Sequence, residues 1–175
     1  LLPLFLFDIQ QIRKLLPMKK EDLLARAEKM NGPVADQVKE LLDLFLSDPG
    51  HAVSKRAEEL LLGMRSGDFA PAMMQHLSNP EFLASRPQLL RICWENGSDF
   101  SGFSHAFIDL VKYGTWEEAI EAFSVVEGLR PDGFLPEKKE LDLNRILDGF
   151  DKLELQRKEF AGRLIELYEN EEESN

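Results

Sequence analysis

The side chains that could carry chemistry in this chain of 175 residues are three histidines, one cysteine and a ridge of glutamates. His51, His76 and His105 lie far apart, and none belongs to a His-x-x-x-His pair, the spacing that sets two imidazoles on one helical face for a metal ion. Cys93 sits between Ile92 and Trp94 on an apolar stretch, where a thiol is expected to be buried and inert. A single cysteine also excludes an intrachain disulfide and a zinc site built on several thiolates. Glu117, Glu118 and Glu121 fall on one helical ridge, where solvated carboxylates are expected before any acid/base pair. The chain holds no phosphate-binding loop, no dinucleotide fingerprint and no Gly-x-Ser-x-Gly elbow. Gly97 and Gly102 flank a loop that lacks lysine and arginine, so it is poorly suited to phosphate. The expectation is a non-catalytic protein without cofactor or metal.

Charge narrows the partners. The formal net charge is −11: zero over residues 1–66, −6 over 67–136 and −5 over 137–175. That balance argues against nucleic acid, which calls for a basic face. Between Glu95 and Glu127 the acids Glu95, Asp99, Asp109, Glu117, Glu118, Glu121 and Glu127 face one base, Lys112. The stretch reads either as a solvated face that maintains solubility or as a docking surface for a basic protein. No run reaches the roughly 18 apolar residues of a membrane span, so no membrane partner and a cytoplasmic location are expected. Leu1 to Phe7 is apolar, but with no basic residue before it and no small-residue cleavage site after it, the segment makes a poor signal peptide. Two readings stay open there. Residues 1–17 lie upstream of a start at Met18, or residues 4–16 form an amphipathic helix with Leu4, Phe5, Ile9, Ile12, Leu15 and Leu16 on one face.

The elements that must position these residues are helices. Apolar residues recur at helical spacing in 21–30, 34–46, 51–65, 69–77, 80–96, 101–113 and 116–128, with an interruption near Pro87. Val34, Val38, Leu41, Leu42 and Phe45, then Val53, Ala57, Leu60, Leu61 and Met64, are the expected core of the second and third. No stretch alternates with period two, so no strands are expected. Gly128 to Pro136 is the long irregular connection, with β-turn character at Arg130-Pro131-Asp132-Gly133. Beyond it the spacing predicts one long helix over 138–170. Leu143, Ile146, Phe150, Leu153, Arg157, Phe160, Leu164 and Leu167 form a heptad seam along it. This helix either folds back along the others or pairs between two copies of the chain, so a homodimer is one of the partners considered.

The chain also repeats itself. Leu46-Ser47-Asp48-Pro49 returns as Leu77-Ser78-Asn79-Pro80, each between a short apolar helix and a longer one. A looser third copy joins Phe107–Tyr113 to Trp116–Val126 through Gly114-Thr115. Leu42, Leu46, Asp48, Pro49, Val53, Arg56, Ala57, Leu60 and Leu61 stand where a HEAT repeat carries its leucines, turn Asp-Pro, valine, basic residue, alanine and paired leucines, and this unit resembles that family. The second unit keeps Leu77, Asn79, Pro80, Arg86 and Leu90, and the third looks closer to an armadillo unit. Trp116-Glu-Glu-Ala-Ile-Glu-Ala-Phe is similar to a tetratricopeptide helix, but no second copy accompanies it.

The resemblance implies an all-α fold, a right-handed α-solenoid of antiparallel helix pairs ending in a long C-terminal helix. One domain over 1–175 is expected: capping helices in 1–32, HEAT-like pairs in 33–128, a linker loop in 129–137, the long helix in 138–170 and a frayed acidic tail in 171–175. Stacked pairs share a core that one pair cannot close alone. The resemblance implies a module that binds a protein partner. The candidate partner surface is Glu95, Asp99, Phe100, Phe103, Glu117, Glu118 and Glu121. Phe100 and Phe103 are either an aromatic hot spot rimmed by acids or core residues beside a helix capped by Ser98 or Asp99. HEAT-like helical folds include DNA base-excision enzymes, but those carry a basic groove that this chain lacks.

Overall fold

The computed structural model describes residues 19–29, 33–47 and 51–169. Among them every regular element is helical. The α-helices are α1 (Lys20–Ala27), α2 (Val34–Ser47), α3 (Ala52–Gly63), α4 (Phe69–Leu77), α5 (Arg86–Asn96), α6 (Ser104–Tyr113), α7 (Trp116–Gly128), α8 (Pro136–Leu147) and α9 (Leu155–Glu169). Short 3-10 stretches at Pro80–Ser85, Ser101–Phe103, Pro131–Gly133 and Phe150–Lys152 precede α5, α6, α8 and α9.

Local chemistry sets the boundaries. Pro87 and Pro136 occupy first-turn positions, where a missing N–H costs nothing. Thr115 and Glu118 form a reciprocal capping box at the start of α7: Thr115 Oγ1 accepts from the Glu118 amide at 3.2 Å, and a Glu118 oxygen accepts from the Thr115 amide at 2.7 Å. Gly97 ends α5 in the left-handed region, at φ 71°.

Consecutive helices pack in the pairs α2/α3, α4/α5, α6/α7 and α8/α9. Further contacts skip one helix: α1/α3, α3/α5, α5/α7 and α7/α9 in one layer, α2/α4 and α6/α8 in the other. Between α4 and α6 no comparable contact forms, so the second layer is split. Of the expected core residues, Val38, Leu41, Leu42, Phe45, Val53, Ala57 and Leu61 are buried, in one cluster with Phe69, Met73, Leu90, Phe107, Val126, Ile146 and Leu164, while Val34, Leu60 and Met64 are half-buried against it.

Helix C-termini leave carbonyls without intrahelical partners. Here side chains from other helices donate to one or two of them at the ends of α1, α2, α3, α4, α6 and α8. Gln37 Nε2 donates to Ala27 O of α1 at 3.0 Å, and Ser54 Oγ donates to Phe45 O of α2. The buried Asn96 donates to Leu61 O of α3 at 2.8 Å and to Met64 O just beyond it at 3.1 Å. Arg86 Nε donates to Leu77 O of α4 at 3.1 Å. Arg157 donates to Val111 O and Gly114 O at the end of α6, and Lys112 to Arg145 O and Asp148 O at the end of α8. A cation at a helix C-terminus also opposes the negative end of the macrodipole. A second polar tie joins α6, α8 and α9. Asp142 Oδ2, deeply buried, accepts from Ser104 Oγ at 2.7 Å, from Lys138 and from Tyr168 OH at 2.9 Å. Burial, then the charge of Asp142, hold the Tyr168 phenol above its ordinary pKa.

The expected long helix over 138–170 is corrected by the structure. It stops at Leu147, turns through Gly149 at φ 66° and restarts at Leu155. Only glycine takes that backbone readily, and Lys112 claims the carbonyls around the break. The turn folds α9 against α8 and α6, so the heptad seam is used inside the chain. Ile146 and Leu164 are buried, and Leu143, Phe150, Leu153, Phe160 and Leu167 pack against the same core. The expected helix at 4–16, the Asp48-Pro49 turn and the acidic tail lie outside the described residues.

Two outcomes follow. Asn96→Ala strands carbonyls at the end of α3, so urea denaturation should show a loss of about 1–3 kcal/mol. His76 is buried with Nε2 unpartnered and Phe82 edge-on at 5.4 Å between ring centroids. Burial first, and then the charge of Lys39, lower its pKa, while Asp43 works the other way. The unfolded chain therefore binds a proton near pH 6.5 that the folded chain refuses. Stability present above that pH should fall as pH drops through it toward the lowered folded value, and His76→Leu should flatten this part of the melting-temperature profile.

Candidate functional site

Two surfaces flank α7, one facing the split layer and one facing outward. In the split between α4 and α6 lies a cavity of about 460 Å³. Met74, Leu77, Ala106, Leu110 and Tyr113 give it apolar walls; Arg86, Glu118, Asp109, Ser78 and Thr115 supply polar groups. The helices place these groups for local reasons. Arg86, at the first residue of α5, is held by Leu77 O and by Glu118, whose carboxylate lies 2.9 Å from Nη1. Glu118 is fixed in turn by the capping box. Both Asp109 oxygens accept from Arg145 of α8. Gly114 lets the turn approach this pair: a Cβ there would stand 2.6 Å from Leu110 O and 2.9 Å from a Glu118 oxygen.

The outward surface is built on α7 and α5. Ala119, Ala122, Val125 and Val126 turn inward, which leaves Trp116, Glu117, Ile120 and Glu121 on the outer side. Ile120 is 51% exposed, Trp94 of α5 43% and Trp116 39%, high values for large apolar side chains. Trp94 Nε1 donates to Glu121 at 2.7 Å and so bridges the two helices. Trp116 packs on Phe160, with 5.6 Å between centroids, and the Arg157 guanidinium lies 4.4 Å over its ring.

The residues expected to form one partner surface divide into three groups. Phe100 is 1% exposed and packs edge-on between Phe69 and Phe107, at 6.4 and 5.7 Å. It is a core residue, as the alternative reading has it, and Phe103 packs half-buried against the same core. Glu118 turns inward to Arg86. Glu95, Asp99, Glu117 and Glu121 remain on the outside, Glu121 half-buried. Asp99 accepts from the Ser101 amide at 2.8 Å, and that bond lowers its pKa. The acidic stretch is also partly neutralised: Asp109 meets Arg145, Glu118 meets Arg86, and Glu95 lies 4.0 Å from Arg91. Among the described residues no cation pairs with Glu117 or Glu127.

Sequence reasoning missed Trp94 and Ile120 as surface groups. The available signal was Trp116 and Ile120 one helical turn apart, outside the stripe of Ala119, Ala122 and Val126. It also missed the cavity, because Arg86 and Glu118 lie far apart in the chain. Cys93 is buried, and burial pushes its thiol well above the usual range, as an inert cysteine requires. Ser104 and Lys138 touch as a nucleophile and base might be arranged, but Ser104 is fully buried and its hydroxyl donates to Asp142. No cluster of His, Cys, Asp or Glu among the described residues is arranged to hold a metal ion. No described helix is long and apolar enough to cross a membrane. Neither a protein-family model nor a curated protein nor a solved structure matches the chain.

Gly114→Ala should push the α6–α7 turn away from Leu110 O and Glu118. Thermal or urea unfolding should register a loss of about 1–3 kcal/mol, the usual cost of overpacking.

Proposed function

We propose that this chain is a HEAT-like helical-repeat module that binds a basic protein segment on the outer α5–α7 surface and performs no catalysis. The observation that carries the reading is the outer side of α7, where exposed Trp116 and Ile120 share a helix with Glu117 and with Glu121, the acceptor for exposed Trp94 of α5. Exposed aromatic and aliphatic side chains at the centre of a patch, with charge at its rim, are the anatomy of a protein-binding hot spot. The rim is acidic and carries carboxylates that no cation of the described chain pairs, so lysine and arginine complement it. Skipped contacts among alternate helices support an α-solenoid, since each pair leans on the next and leaves the outer faces of its helices open. The repeated Leu-Ser-Asp/Asn-Pro sequence supports the same reading. Right-handed stacking of the pairs is part of this proposal.

Peptide display against the purified chain provides the test. Enriched peptides should combine lysine or arginine with apolar residues, and binding should weaken as salt screens the rim over a Debye length of about 8 Å at physiological ionic strength. Ile120→Asp should reduce binding by about tenfold or more, and Glu117→Lys should lower the association rate. Selection of peptides indifferent to these substitutions would overturn the surface. Concentration-dependent self-association abolished by Ile120→Asp would make a second copy the partner instead.

A further inference from the structure

We infer that His76 and Phe82 form an acid-released latch: proton uptake by the buried imidazole frees the Pro80–Ser85 stretch from α4 while the helices around it stay packed. The inference is independent of the partner proposed for the outer surface. His76 lies on the last turn of α4, 8% exposed, and its Nε2 is sealed from solvent with no hydrogen-bond partner among the described residues. Leaving that nitrogen bare costs least while the ring is neutral. An imidazolium donates at both nitrogens, so it would leave a buried N–H unanswered as well as a buried charge. The Phe82 ring meets the imidazole edge-on, with 5.4 Å between centroids, and Phe82 belongs to the 3-10 stretch Pro80–Ser85.

Burial is the main force against the proton. The charges acting on the ring are Lys39 and Asp43 of α2, which oppose each other and are paired at 2.7 Å. Glu81 of the 3-10 stretch acts on Lys39, and Arg86 at the start of α5 is turned to Leu77 O and Glu118. A proton on His76 must therefore be accompanied by water, and water reaches Nε2 only if something moves. The neighbouring elements differ in what that movement costs. Helices α2, α4 and α5 each bury several apolar side chains, whereas no residue of Pro80–Ser85 is fully buried and Phe82 is its half-buried anchor. The stretch packs mainly on α4 and α5. At its start the Phe82 amide donates to Asn79 O at 3.0 Å and the Glu81 amide to Asn79 Oδ1 at 3.0 Å. Segments with few buried apolar contacts open first, so this one gives way before any helix.

The test follows amide exchange and the His76 imidazole signals of the full chain by NMR from about pH 7.5 down to about pH 5, a window set by the ordinary histidine value of about 6.5. Below that value the protection factor of the Phe82 amide should fall by as much as about tenfold per pH unit, the limit for one proton, and level off below the lowered pKa of the closed form. Amides inside α2 and α5 should keep their protection over the same range. His76→Leu should remove the pH dependence. Linkage requires the converse: Phe82→Ala, which takes away the ring that closes the latch, should raise the His76 pKa toward its ordinary value. This second variant keeps the test decisive if His76→Leu melts early. Phe82 protection that stays level as pH falls would overturn the proposal. So would a fall that persists in His76→Leu, an equal loss across α2 and α5, or a His76 pKa unmoved by Phe82→Ala. None of these results bears on the basic segment proposed for the outer surface, because that binding is read through Ile120→Asp.

Discussion

The unpaired carbonyls at helix C-termini are the constraint on which the rest of this structure depends. A short helix exposes a large share of its backbone ends, and several of those ends are buried between layers here. A buried carbonyl without a partner costs about 1–3 kcal/mol, so each must find a donor. The chain meets this need with side chains from other helices: Gln37, Ser54, Asn96, Arg86, Arg157 and Lys112. Every such bond joins two elements, so the device that satisfies a helix end also fixes where its neighbour sits. The α6, α8 and α9 group shows this most fully. Lys112 of α6 closes the end of α8, Arg157 of α9 closes the end of α6, and the Asp142 network joins all three.

The same bonds reshape the electrostatics. The acidic stretch looks unopposed along the chain, yet Arg86 and Arg145 reach it from other helices and Arg91 lies one turn before Glu95, while its own Lys112 is taken up by carbonyls. On the outer side of α7 this leaves Glu117 and Glu121, the latter accepting from Trp94. Arg86 belongs to both accounts. It caps α4, pairs with Glu118 and lines the cavity between α4 and α6. That cavity exists because α4 and α6 do not close against each other, a gap in a layer that is otherwise in contact.

Much of the fold was legible in the chain. The helical periodicity of 34–46 and 51–65 named core residues that are buried, and the Pro87 interruption separates a 3-10 stretch from α5. The open alternatives and the misses share one cause. Phe100 and Phe103 sit in a Gly/Ser loop that left both a surface and a core reading open, because composition does not say which way a loop folds; Phe69 and Phe107 on its inner side make Phe100 core. Glu118 shares a ridge with Glu117 and Glu121, yet its capping box turns it inward to Arg86. The heptad seam over 143–167 is real as a pattern of apolar residues, but a pattern does not choose between another chain and its own core.

The sequence by itself determined that the described chain is helical, where most helices begin and end, and which stripe of each is apolar. These are near-neighbour properties, decided by spacing and capping within a turn or two. Tertiary structure alone decided the break at Gly149, the inward turn of Phe100 and Glu118, the partners of the acids and the cavity beside Arg86. Each rests on atoms brought together from positions well separated in the chain. Whether a glycine breaks a helix or a glutamate leaves the surface depends on which donor, ring or carbonyl the fold places beside it.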